Sequence, residues 1–205
     1  MQAIILAGGL GTRLRSVVSD RPKPMALVEG KPFLEYVLQG LKKSGIDDIF
    51  AVGYKGGMVE EYFGDGSRFG IRARYAYEEE LLGTAGAIKN AGKYVTDEQF
   101  FVLNGDTFYQ MDFGDLSRIQ QEKNLEMALV LRGVPDISRY GAARLTDGLL
   151  TAFNEKNGNT GAGTINGGVY LMKRALLDEI PEGKVSLENE CIPRWMQEGR
   201  RLGGI

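Results

Sequence analysis

Histidine is absent from all 205 residues of this chain. With no imidazole, Ser-His-Asp and Cys-His catalysis are excluded, as is any imidazole metal site, and the chemistry falls to carboxylates, lysines and arginines. There is a single cysteine, Cys191, so no internal disulfide forms, and no charged-then-apolar leader stands ahead of the first apolar run. Together these lead to the expectation of a cytoplasmic location. No apolar stretch approaches the ~20 residues of a membrane-spanning helix, so membrane embedding is not expected. An excess of positive charge is also missing: 25 Lys and Arg stand against 27 Asp and Glu, for a net charge of −2. Nucleic acid finds no global basic field here, and positive charge matters only where it is local.

Local positive charge is found at the start of the chain. Ala3-Ile4-Ile5-Leu6-Ala7 runs into Gly8-Gly9-Leu10-Gly11-Thr12-Arg13 and then into Pro22-Lys23-Pro24. An apolar run that ends in glycines is a strand delivering backbone to a ligand. Without Cβ atoms at positions 8, 9 and 11, several N–H donors can converge on one anion. Arg13 adds a permanently charged fork, and Lys23 adds a second cation on a stretch stiffened by two prolines. The pattern lacks the Gly-Lys-Ser/Thr of a P-loop. It also has Leu14 where a dinucleotide fingerprint needs its third glycine. A plain tight turn would explain the glycines but not Arg13 and Lys23. The stretch reads as a triphosphate cradle.

Further along, Phe33, Val37, Leu38 and Leu41 share one face of a helix that ends near Gly45. Asp48–Tyr54 is a strand, Met58–Phe63 a short helix closed by Gly64, and 71–77 an alternating strand. Thr84–Tyr94 is a helix and Phe100–Leu103 a strand. This alternation predicts an α/β fold: a Rossmann-like αβα three-layer architecture around a mainly parallel mixed sheet, with ligands at the carboxyl ends of its strands. In the second half, Met127–Leu131 and Val169–Met172 read as strands. Asp147-Gly148 is the turn of a hairpin between Ala142–Leu145 and Leu149–Phe153. Residues 157–163 read as a mobile small-residue loop, Ser186 as the cap of a final helix kinked at Pro193, and Gly203-Gly204-Ile205 as the start of a strand. With no repeat or linker, residues 1–205 are expected to form one domain, with 1–110 as a nucleotide-binding half and 111–205 as a sugar-binding half.

Gly8-Gly9-Leu10-Gly11-Thr12-Arg13-Leu14 followed by Arg21-Pro22-Lys23-Pro24-Met25 resembles the signature of the sugar-1-phosphate nucleotidyltransferases. The resemblance continues through Leu82-Gly83-Thr84-Ala85-Gly86, Leu103-Asn104-Gly105-Asp106, Arg139-Tyr140-Gly141, Glu155-Lys156 and Ile165-Asn166-Gly167-Gly168. Within that family the chain looks most like the guanylyltransferases acting on mannose-type and D-glycero-D-manno-heptose 1-phosphates. The resemblance implies nucleotide-sugar synthesis for cell-surface polysaccharide. It also implies a nucleoside triphosphate (GTP favoured) and a sugar 1-phosphate as partners, with Mg²⁺ as cofactor. Homo-oligomer formation is left open.

The same resemblance distributes roles. Leu6, Ala7, Gly8, Gly9, Gly11, Thr12, Arg13, Lys23, Glu78, Gly83, Thr84, Asn104 and Gly105 would bind nucleotide. Arg13, Lys23 and Asp106 would act in catalysis, with Asp106 holding the metal. Asp106 follows an expected strand through Asn104-Gly105, and a hard oxygen ligand there suits Mg²⁺, although Asn-Gly-Asp is also a common turn. Glu78 lies in what resembles the base-reading segment. A carboxylate only accepts hydrogen bonds and so takes the adjacent N–H and NH₂ of guanine in parallel. Glu79 and Glu80 are equally placed to do so, and all three also fit a solvated acidic loop. Glu155 and Lys156 resemble the pair that meets sugar hydroxyls and sugar phosphate, a surface ion pair being the plainer alternative. Tyr140, Gly141, Asn166 and Gly167 suit hydroxyl recognition or simply a bulge. Relatives usually carry a second metal-ligating aspartate on a strand near the C-terminus, and this sequence stops before such a segment, so a missing C-terminal segment is expected. Other readings that keep the fold are a cytidylyl-, uridylyl- or thymidylyltransferase, or a non-catalytic nucleotide-sugar sensor.

Overall fold

Alternate residues of the first strand go to opposite cores. Ile4 joins one buried cluster, while Ala3 and Ile5 join the other. The same alternation repeats on every central strand, with Phe100 and Val102 against Phe101 and Leu103, and Tyr170 and Met172 against Val169 and Leu171. A sheet apolar on both faces must be covered on both, and helices do this here.

The computed structural model describes residues 1–8, 21–53, 57–138, 141–154 and 160–205. In chain order these hold β1 (Gln2–Leu6), a 3₁₀ turn at Lys23–Met25, a small hairpin of β2 (Leu27–Val28) and β3 (Lys31–Pro32), α1 (Phe33–Lys43) and β4 (Asp48–Gly53). Next come α2 (Gly57–Phe63), β5 (Arg72–Tyr77), α3 (Gly83–Gly92), β6 (Gln99–Asn104), α4 (Phe113–Glu122) and β7 (Met127–Val134). The chain then adds β8 (Ala142–Thr146), β9 (Leu149–Asn154), β10 (Gly163–Lys173), α5 (Ile192–Gln197) and β11 (Leu202–Gly204). None of these helices is long and apolar enough to cross a membrane.

Nine of the strands form one mixed sheet in the order β5-β4-β1-β6-β10-β7-β11-β9-β8. The first four run parallel, as the alternation of strand and helix predicts. β10 reverses direction, antiparallel to both β6 and β7, and β11 returns parallel to β7. Residues of α1, α2 and α4 bury against one face of the sheet and those of α3 and α5 against the other, giving the three expected layers. The strand order reverses at β1, which has β4 on one side and β6 on the other. Crevices for ligands open at such a switch point.

Three elements differ from expectation. α4 was not expected: its buried residues are only Phe113, Leu116 and Gln120, and the Asp112 side chain caps it by accepting from the Gly114 N–H at 2.8 Å. The strand expected over Val169–Met172 begins at Gly163, six residues earlier, because backbone pairing with β7 extends across small residues. The final helix is interrupted. Ser186 accepts from the Asn189 N–H at 3.1 Å as expected of a cap, but Leu187–Cys191 forms a wide π-type turn, and Pro193 falls in the first turn of α5. The Asp147-Gly148 hairpin turn is as read, with φ of 51° and 77°. Of the loop expected to be mobile, residues 157–159 lie outside the described residues.

Candidate active site

Beyond the carboxyl ends of β1, β4, β5 and β6 lies a cavity of about 280 Å³. Its walls come from separate parts of the chain: Leu6 and Gly8 after β1, Lys23 and Pro24 on the 3₁₀ turn, Val52 of β4 and Glu78 just past β5. Leu81, Gly83, Thr84 and Ala87 at the start of α3, with Asn104 and Asp106 at the end of β6, complete it.

Lys23 is held by its neighbours. The Met25 N–H donates to the Pro22 carbonyl at 2.9 Å, the Ala26 N–H to the Lys23 carbonyl at 3.0 Å, and Met25 is buried. The lysine ammonium donates to Asp106 Oδ2 at 3.3 Å, with the two side chains 25% and 48% exposed. Asp106 sits on a turn pinned to β1, since the Gly105 N–H donates to the Leu6 carbonyl at 2.9 Å. A Cβ on Gly105 would lie 2.9 Å from that oxygen and 3.0 Å from Pro24 Cγ. Gly105 is thus closely packed and Ala7 is buried, and neither is among the residues that line the cavity. Of the three acidic residues, half-buried Glu78 is in the wall, whereas Glu79 and Glu80 are exposed and outside it.

The start of α3 is fastened to residues 182–188. Ala85 and Gly86 N–H groups donate to the Val185 carbonyl at 3.0 and 3.2 Å, so that carbonyl takes donors that a helix N-terminus would otherwise offer to an anion. Gly83 has φ +72°, and a Cβ there would lie 2.5 Å from the same oxygen. The Thr84 hydroxyl donates to Glu188 Oε2 at 2.6 Å and accepts from the Leu187 N–H at 2.7 Å. Thr84 thus shapes the wall while its hydroxyl is committed to the neighbouring segment.

Asn166 and Gly167 lie in a bulge of β10. Asn166 pairs with Leu131 and Tyr170 with Leu129, so four steps along β10 match two along β7. Gly168, φ +71°, completes the bulge against Asn104: a Cβ on it would meet Asn104 Nδ2 at 2.5 Å. The bulge therefore adjoins the cavity wall. Ile165 bridges to Ala142 in antiparallel sense, which brings Gly141 beside Asn166. The Tyr109 phenol packs on Gly167, and burial holds its pKa above the ordinary value against the opposing charge of Arg132. The remaining expected site residues, Gly9, Gly11, Thr12, Arg13, Tyr140, Glu155 and Lys156, lie outside the described residues.

The nucleotidyl transferase family model matches residues 2–202. The chain belongs to the nucleotidyl transferase family. It is 42% identical, over its whole length and 89% of the relative's, to a D-glycero-alpha-D-manno-heptose 1-phosphate guanylyltransferase of Aneurinibacillus thermoaerophilus. A protein of the same description from Campylobacter jejuni is 45% identical over 87% of this chain and 79% of its own. Among solved structures, HddC from Yersinia pseudotuberculosis complexed with GMP-PN superimposes with a TM-score of 0.85 at 32% identity, covering this entire chain and 89% of that one.

In this nucleotidyl transferase the described residues contain no group of three or more Asp, Glu or Cys side chains placed to hold a metal. Mg²⁺ does not need such a cage. It is commonly held by one or two carboxylates, with water and phosphate oxygens filling the other positions. The half-exposed Asp106 carboxylate on the cavity wall fits that demand as a single protein ligand. Sequence reasoning missed the apolar walls, Val52, Leu81 and Ala87, which look like ordinary core positions in the sequence. It also missed Glu188, whose only signal was its place two residues after the Ser186 cap.

Proposed function

We propose that this protein transfers the guanosine monophosphate unit of GTP to a sugar 1-phosphate of the heptose or mannose type, releasing pyrophosphate. The observation that carries the reading is the meeting of Lys23, Asp106 and Glu78, from three separate loops, on one cavity at the switch point of the sheet. That similar proteins are named D-glycero-alpha-D-manno-heptose 1-phosphate guanylyltransferases supports guanine as the base and a heptose-type acceptor.

A sugar 1-phosphate is already an anionic nucleophile near neutral pH, so a chain without histidine needs no general base. An oxygen of the sugar phosphate attacks the α-phosphorus, the bond to the oxygen bridging to the β-phosphate breaks, and pyrophosphate leaves. The protein's task is alignment and stabilisation of charge at phosphorus. Lys23 stabilises the charge that builds around the α-phosphate, and Arg13 holds the β- and γ-phosphates that depart. Glu78 accepts from the guanine N1–H and exocyclic amine, whereas uracil and thymine would set an acceptor against it. Asn166 and Gly141 read sugar hydroxyls, and Glu155 and Lys156 meet the sugar and its phosphate. Mg²⁺, bound through Asp106, would neutralise charge on the triphosphate oxygens. Lys23 and Asp106 together on the cavity wall, with Arg13 and Lys156 retained in the sequence, favour the enzyme over a non-catalytic sensor.

The test is pyrophosphate release with each of GTP, UTP, CTP, dTTP and ATP, crossed with a panel of sugar 1-phosphates and added magnesium. The expected result is turnover with GTP and a heptose or mannose 1-phosphate. Turnover with a pyrimidine triphosphate alone would overturn the base assignment, and tight nucleotide binding without any pyrophosphate would support the sensor.

A further inference from the structure

A hydrogen-bonded chain of four side chains runs from the start of α3, in the cavity wall, to the bulge of β10. At its centre is Glu188, 9% exposed, on the wide turn Leu187–Cys191. Its Oε2 accepts from the Thr84 hydroxyl at 2.6 Å and from the Ser186 hydroxyl at 3.3 Å. Its Oε1 accepts from the phenol of fully buried Tyr170 at 3.1 Å. The Tyr170 oxygen accepts in turn from Asn166 Nδ2 at 2.6 Å, and Asn166 Oδ1 accepts from the Gly168 N–H at 3.0 Å.

Among the described residues no lysine or arginine is ion-paired with Glu188. A buried carboxylate held only by hydroxyls is a poor source of stability, since apolar packing of the same volume serves as well or better. What such a network supplies is one fixed arrangement of its members. Both Asn166 amide atoms are assigned by it: one N–H goes to Tyr170 and one lone pair to Gly168. That leaves one N–H and one lone pair, a set matched to a hydroxyl that both donates and accepts.

We propose that Glu188 is a positioning residue that, through Tyr170, sets the orientation of the Asn166 amide toward sugar hydroxyls and locks it in register with the nucleotide wall at Thr84. This rests on the proposed reaction. Loss of the link frees the amide to rotate, so the cost falls on sugar recognition and not on the nucleotide.

The test is steady-state kinetics of Tyr170→Phe, which keeps the buried ring and removes only the oxygen, and of Glu188→Gln, singly and combined. Tyr170→Phe is expected to raise the KM for the sugar 1-phosphate about tenfold, a loss of ~1.4 kcal/mol, with kcat and the KM for GTP within twofold of wild type. In the double variant that KM rises less than the product of the single effects, because both changes cut one link. A Tyr170→Phe protein with an unchanged sugar KM overturns the positioning role, as does one whose two KM values rise together. A wild-type protein that turns over no sugar 1-phosphate overturns the functional reading itself.

Discussion

Replacing Lys23 with alanine separates two quantities that the proposed reaction makes very different in size. The stability contribution of the Lys23–Asp106 pair is small: at 3.3 Å, with side chains 25% and 48% exposed, it is a solvent-screened pair worth about 0–1 kcal/mol. For a chain of this length that shifts Tm by no more than about 2–4 °C. Under the proposed reaction the catalytic contribution is expected to be larger, because charge grows on phosphorus only as the reaction proceeds. A unit charge ~4 Å from that growing charge is worth ~1 kcal/mol in bulk water and ~4 kcal/mol at the effective dielectric near a protein surface. Once substrates fill the cavity the higher figure applies, and a loss of about 3–4 kcal/mol lowers kcat by about 10²–10³. Since the interaction is made mainly in the transition state, GTP binding should weaken no more than about tenfold. Pyrophosphate release gives kcat, calorimetric titration gives nucleotide affinity, and a thermal melt checks the fold. A variant with kcat within fivefold of wild type refutes the role of lysine. So does one that loses nucleotide affinity a hundredfold while keeping its turnover.

Other outcomes follow from the packing. Gly83→Ala puts a Cβ on a residue at φ +72°, 2.5 Å from the Val185 carbonyl oxygen, and should cost about 2–4 kcal/mol in denaturant unfolding. A cost under about 0.5 kcal/mol would mean that residues 182–188 are not docked as described. Asp48, at the start of β4, accepts from Arg74 at 2.6 Å and from Gln2 at 2.9 Å. Burial pushes its carboxyl up, but those hydrogen bonds and the charges of Arg74 and Arg72 outweigh it and hold the pKa below the usual carboxylate range. The stabilisation is therefore complete above the ordinary carboxyl value, about pH 4, and disappears as pH falls below it through the lowered folded value. Asp48→Asn should lose about 2–3 kcal/mol at pH 7 and show a flatter stability profile below pH 4; equal acid slopes in the two proteins would refute this. Burial pushes the Cys191 thiol up to about 11, and its side chain is 1% exposed. It should resist a thiol reagent at pH 8 in the native protein and react only on unfolding, whereas prompt native-state labelling would contradict the burial.

The legible parts of this molecule were those where local pattern and tertiary role coincide. The apolar run of β1 ending in glycine, the one-sided periodicity of α1 and the Asp147-Gly148 turn each carry their signal within a few neighbouring residues. α4 carries little: glutamine fills one of its three buried positions, and a glycine sits in its first turn, so only the Asp112 cap marked it. The early half of β10 is a strand because of its partners. Gly163, Asn166, Gly167 and Gly168 have no strand preference of their own, and β7 supplies the pairing. At the site, the charged residues stood out in the sequence because charge needs a reason, whereas Val52, Leu81 and Ala87 did not. Glu188 was out of reach for another reason: its bond to Thr84 spans 104 positions of chain, and no local pattern encodes such a meeting.

The place of β11 bears on how the molecule is made. β1, β4, β5 and β6 can assemble once the residues up to Asn104 have left the ribosome, since all four lie before position 105. β9 must wait, because its second neighbour consists of residues 202–204. Until those arrive, one flank of that hairpin is open to any foreign backbone seeking a partner. The nascent chain thus carries an early-setting parallel part of the sheet beside a late-setting part that holds the β8–β9 hairpin, and chaperone protection during synthesis would matter most for the second.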